Sequence, residues 1–144
     1  MNKKELTDKI EIKVRFNEVD SMDVVWHGNY VKYLEDGREA FGERYGIHYL
    51  DFFREGIMVP LVNIELEFKK PLIYGEKAVV ETKYVDSEAA KLIFEYVIYR
   101  SSNREVLATA RSVQVFLNTE RELLLSFPEF FLEWKKKWLL VSSD

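Results

Sequence analysis

Asp20 and, seven positions later, His27 stand at a spacing that chemistry can use. Both lie in the run RFNEVDSMDVVWHGNYVKYLEDGR, residues 15–38. There an alternating strand pattern gives way to a short acidic loop and then to a helical pattern. His27-Gly28-Asn29 marks the expected helix start. The first N–H groups of a helix lack intrahelical acceptors and form the positive end of its dipole, so they attract developing negative charge. A carboxylate close to such an end has the parts for hydrolysing an ester or thioester. Asp20 would be the base or nucleophile, and the helix end at His27 would stabilise the oxyanion.

The remaining chemistry-bearing residues narrow the choice. Cysteine is absent, which removes disulfides, thiolate nucleophiles and cysteine zinc sites. His27 and His48 are the two imidazoles and are not spaced as HExxH. No GxSxG elbow, GxxxxGK[ST] loop or GxGxxG turn occurs. The expectation is a site with no metal and no bound cofactor. A net charge of -4 gives no electrostatic reason for a nucleic-acid partner. No apolar run reaches the length of a membrane span, and the first residues, MNKKELTDKIEIKV, lack a signal-peptide core. The expected address is the cytoplasm, without membrane insertion.

The elements that must hold Asp20 and His27 can be read from periodicity. At 144 residues, 47% hydrophobic and 15% aromatic, the chain suits one domain over residues 1–144. Ile10, Ile12, Val14 and Phe16 alternate with polar residues as in a half-buried strand. From Asn29 the period changes, and Tyr30, Leu34, Gly37, Phe41 and Tyr45 recur at helical spacing. Gly37 and Gly42 are costly inside a helix, and Gly37 suggests a backbone pressed against a sheet. Gly46 suits a left-handed helix end. Residues 47–56 read as a short helix or turn.

Four strand patterns follow, around residues 62–68, 76–85, 91–100 and 105–117, with a hairpin loop at Ser101-Ser102-Asn103. Short turns between long strands imply an antiparallel sheet. Ser126 and Glu129 have capping-box spacing with Pro128 in the first turn of a last helix, whose apolar stripe would be Phe131, Trp134 and Trp138. The layout is α+β, with one principal helix against a sheet.

The run R-F-x-E-x-D-x-M-x-x-V-x-H-x-N-Y, Arg15 to Tyr30, resembles the signature of hot-dog-fold acyl-CoA thioesterases. It is most similar to the 4-hydroxybenzoyl-CoA thioesterase family with its Tol-Pal-associated branch. Tyr33, Glu35 and Arg38, the stretch KKPLIYGE at 69–76 and SVQVFL at 112–117 extend the resemblance. It implies an antiparallel sheet wrapped around a central helix, and acyl-CoA as substrate. It also implies a homo-oligomer, a dimer with sheets joined edge to edge and often a dimer of dimers, with active sites at the subunit interface.

By position the catalytic carboxylate falls on Asp20 and the polarising helix-end N–H at or next to His27, whose imidazole lies at the site. Gly28, Asn29 and Tyr30 match the helix start as substrate-binding positions. The family usually has glycine where this chain has Asp23. Glu18 and Glu35 are candidate supporting or solvated acids; Lys69, Lys70, Arg100 and Arg104 are unassigned candidates for CoA phosphates. The alternatives are a non-catalytic acyl-thioester-binding scaffold and a hydrolase of acyl carrier protein thioesters.

Overall fold

The computed structural model describes residues 4–139. In chain order it contains β1 (Thr7–Lys13), one turn of 3-10 helix (Phe16–Glu18), α1 (Gly28–Tyr45) and α2 (Tyr49–Arg54). Then come β2 (Leu61–Phe68), β3 (Lys77–Val85), β4 (Lys91–Arg100), β5 (Val106–Val115) and α3 (Glu129–Leu139). The strands form one antiparallel sheet in the order β1-β3-β4-β5-β2. One row of the register runs Ile10–Val80–Ile98–Ala108–Phe68 across all five. Its centre is fully buried, whereas Phe68 on the edge strand β2 is exposed.

Helix α1 lies on the buried face of this sheet and turns Tyr30, Tyr33, Leu34, Gly37, Phe41, Gly42 and Tyr45 inward. This is the stripe that the spacing predicts. Gly37 is where helix and sheet meet most closely. A Cβ there would stand 2.7 Å from Thr82 Oγ1 and 2.8 Å from Val80 Cγ1 on β3, so no larger residue fits without movement. Gly42 is similarly crowded by the backbone of Ile47 and His48, which lets the chain fold back into α2. Gly46 ends α1 at φ 78°, its N–H bonded to the Gly42 carbonyl, the left-handed ending expected of it.

Helix α3 closes the far end of α1. The Trp134 indole N–H donates to the Tyr45 carbonyl at 2.6 Å, and Trp134 stacks on Tyr84 and Phe131. Phe131 also meets Phe52, Phe116 and Phe127. Lys135 pairs with Asp86 at 2.9 Å.

Two expectations need correction. Phe16 does not continue the inward face of β1: it is 79% exposed, because the strand ends at Lys13 and the chain turns through 3-10 geometry. The Ser126–Glu129 capping box is not formed either. The helix begins at Glu129, and the Pro128 carbonyl accepts the first N–H groups, those of Phe131 and Leu132. Pro128 therefore precedes the helix, and Ser126 lies too far upstream to cap it.

Candidate active site

Between the 3-10 turn and α1 the chain forms a small hairpin. Val19 bridges Val25 in antiparallel fashion, and the Asp20 N–H donates to the Val24 carbonyl at 2.8 Å. The three loop residues are Ser21, Met22 and Asp23. The Asp23 N–H donates to the Asp20 carbonyl at 3.0 Å, and Asp23 has φ 64°. A turn followed by one left-handed residue is the usual three-residue hairpin loop, and glycine is favoured at its last position. Aspartate, among the side chains that tolerate positive φ, can occupy that position.

Asp20 starts the turn, where short acidic side chains are favoured. Its Oδ1 accepts the Met22 N–H at 2.8 Å and the Val24 N–H at 3.4 Å. Asp20 is half-buried, and its Oδ2 has no donor among the described residues. One oxygen fixes the loop while the other is available to a ligand or water.

A carboxylate that the sequence ranked low holds the base of the hairpin. Glu18 is 5% exposed. Its Oε1 accepts the Arg15 N–H at 2.8 Å and the Tyr33 hydroxyl at 2.9 Å, and Lys32 Nζ lies 3.5 Å from its Oε2. Burial pushes the Glu18 carboxyl up, but the Arg15 N–H, the Tyr33 hydroxyl and the Lys32 ammonium outweigh it and hold it below its ordinary value. Burial and the facing Glu18 carboxylate push the Tyr33 phenol well up. The Glu18 carbonyl accepts both the Trp26 N–H and the Asn29 side-chain amide at 2.9 Å. The hairpin is thereby stapled to the first turn of α1.

That first turn is left open. His27 occupies the cap position in helical geometry, and its side chain makes no capping bond. The Asn29 and Tyr30 N–H groups turn back to the Trp26 and His27 carbonyls. The His27 and Gly28 N–H groups meet no acceptor among the described residues. Helix α2 shows the contrast: His48 caps it through Nδ1 to the Leu50 N–H, and Asp51 completes the box. Unpaired donors at a helix start are the geometry that receives an oxyanion.

The expected site residues therefore divide. Asp20, His27 and Gly28 belong to one hairpin-helix unit, although no hydrogen bond joins the Asp20 carboxylate to the exposed His27 imidazole. Asn29 and Tyr30 turn away from solvent, Asn29 to Glu18 and Tyr30 into an edge contact with Phe68. Arg100 is engaged by Glu76, Glu105 and the Pro71 carbonyl, and Lys69 pairs with Glu67 at 2.9 Å. Glu39, Glu43 and His48 bring three possible ligand atoms within 4.8 Å of one another. Because His48 Nδ1 accepts a backbone N–H, its Nε2 is the protonated nitrogen and donates to Glu39 at 3.3 Å. That trio reads as a helix cap.

A cleft of about 830 Å³ opens between the middle of α1, α2 and β4, with Phe52, Phe53, Met58 and Phe94 among its walls. Neither Asp20 nor His27 lines it.

A model of the thioesterase-like superfamily matches residues 14–135, which contain the whole hairpin-helix unit. The chain belongs to this superfamily. Its fold is the hot-dog fold. A Bacillus subtilis (strain 168) protein named "Putative acyl-CoA thioesterase YneP" is 36% identical over 126 residues, covering 88% of this chain and 91% of its own. The chloroplastic acyl-acyl carrier protein thioesterase ATL3 of Arabidopsis thaliana is 30% identical over 112 residues, covering 78% of this chain and 59% of its own. The crystal structure of Slr0204, a 1,4-dihydroxy-2-naphthoyl-CoA thioesterase from Synechocystis, matches with a TM-score of 0.80 at 19% identity, over 90% of this chain and 96% of that one. At that identity the likeness is one of fold. Among the described residues no helix is long and apolar enough to cross a membrane.

Proposed function

We propose that the protein is an acyl-CoA thioesterase, hydrolysing R–CO–S–CoA to the free acid and CoA in the cytoplasm as one domain over residues 1–144. The observation that carries this reading is the hairpin-helix unit. It presents a carboxylate with one free oxygen at its turn and two unpaired N–H groups where its return strand enters α1. Asp20 acts as general base on water or as the nucleophile itself. The thioester carbonyl oxygen gains negative charge as the attacking oxygen bonds to carbon, and the His27 and Gly28 N–H groups receive that charge. The C–S bond then breaks, and the CoA sulfur leaves as thiolate and takes up a proton. Where Asp20 is the nucleophile, water then opens the Asp20 mixed anhydride to release the free acid and restore the carboxylate.

Within the superfamily the Arg15–Tyr30 block aligns the chain with the 4-hydroxybenzoyl-CoA thioesterase and Tol-Pal-associated type. The apolar cleft takes the acyl group. Its separation from Asp20 within one subunit supports a dimer in which the carboxylate of one copy serves the cleft of the other, with further pairing into tetramers. The free edge of β2, with Val62 and Phe68 exposed, is available for joining two sheets.

The test is Asp20→Asn. The amide keeps an oxygen for the Met22 and Val24 N–H groups, so the hairpin stays folded, but it cannot take a proton or attack carbon. Released CoA thiol, followed over a panel of short, long and aromatic acyl-CoAs, should fall about 10²–10⁴-fold in kcat with thermal stability unchanged. Unaltered kcat would remove the mechanism, and tight binding without thiol release in the wild type would favour the scaffold. A second reading, hydrolysis of acyl carrier protein thioesters, draws support from the similarity to ATL3. Acyl carrier protein substrates in the same panel decide between the carriers.

A further inference from the structure

Trp26 is a large apolar side chain left 54% exposed beside the proposed site. Its indole lies across the face of Gly28 from which a side chain would project. A Cβ on Gly28 would stand 2.0 Å from Trp26 Cζ3 and 2.5 Å from Cη2. The ring also rests against the His27 imidazole, centroids 4.9 Å apart and tilted by 43°. The Trp26 backbone is held by the Glu18 carbonyl at 2.9 Å. Gly28 thus makes room for a flat ring at the helix start, beside the two unpaired N–H groups.

We infer that Trp26 is a positioning residue for the thioesterase reaction. It walls the His27 and Gly28 N–H pair against water and holds the thioester arm of the substrate against them. The inference rests on the thioesterase reading of the site. Its physical basis is that hydrogen bonds to a developing oxyanion strengthen when water is kept away, and that small misplacement of a reacting carbonyl is costly. The missing side chain of Gly28 is required for the ring, while its N–H serves the substrate.

The experiment is a double-mutant cycle on steady-state kinetics. Trp26→Ala should lower kcat about ten- to a hundredfold with a smaller change in KM, and Trp26→Phe should recover most of the loss. Gly28→Ala must displace the ring and should reproduce most of the Trp26→Ala defect, yet add nothing when made in the Trp26→Ala background. A spectroscopic arm uses CoA as the probe. Its binding should change the wild-type tryptophan emission, and this change should be absent in Trp26→Phe, which keeps Trp134 and Trp138.

A fully active, folded Trp26→Ala variant would overturn the inference. So would a Gly28→Ala defect of equal size in both backgrounds, or an emission change that survives in Trp26→Phe. Absence of wild-type turnover on every thioester in the panel would instead overturn the thioesterase reading, and the inference with it.

Discussion

Glu18 shows how one buried charge can organise a site it need not enter. Its carboxylate is satisfied by a backbone N–H, a phenol and an ammonium, and its carbonyl holds Trp26 and Asn29. Glu18→Gln keeps the shape and removes the charge, so it should cost about 1–3 kcal/mol near neutral pH. The pH dependence has a definite sign. The folded-state carboxyl is held below its ordinary value of 4.5, so its contribution is complete above that value and is lost as pH falls through the depressed one. Melting temperatures from pH 3 to 7 should converge for wild type and Glu18→Gln at the acid end. A gap that stays constant down to pH 3 would show that the charge is not responsible.

At the scale of elements, α1 and the sheet are joined at Gly37. Gly37→Ala would gain in helix propensity, yet its methyl must enter the space occupied by Thr82 and Val80. Overpacking of that kind costs about 1–3 kcal/mol, so urea unfolding should show a net loss. A neutral or stabilising result would mean that helix and sheet can part without strain. The pattern of residues 30–45 revealed this contact because helical spacing and an awkward glycine coincide there. The strands were legible for a similar reason, since alternation is local.

What the sequence hid depends on partners distant along the chain. Glu18 reads as one acid among 25 Asp and Glu residues until Lys32 and Tyr33, consecutive residues of α1, close around it. Phe16 follows the strand alternation perfectly and still faces solvent, because the strand has already ended. The loop at Asp20 is legible as a short acidic turn before a helix, and its geometry, with one carboxylate oxygen on the Met22 and Val24 N–H groups, leaves the other for the role proposed above. Trp26 carried no signal, since its role depends on the missing side chain of Gly28.

At the scale of the whole molecule, Asp20 does not line the cleft within one subunit, and the dimer proposed above would bring the two together across its interface. Asp20→Asn lacks the carboxylate, and Met58→Trp would fill the cleft. Each alone should be inactive, and subunits co-expressed and assembled together should recover turnover; failure to complement would place both functions in one chain. The closure by α3 has a separate consequence for how the protein is made. Tyr45 at the end of the central helix waits for Trp134, and the Lys4 N–H for the Leu139 carbonyl. These pairings span most of the polypeptide and are slow to form. During synthesis the aromatic cluster around Phe52, Phe116 and Phe131 therefore stays open until residues 129–139 have left the ribosome, and the nascent chain needs shielding over that interval.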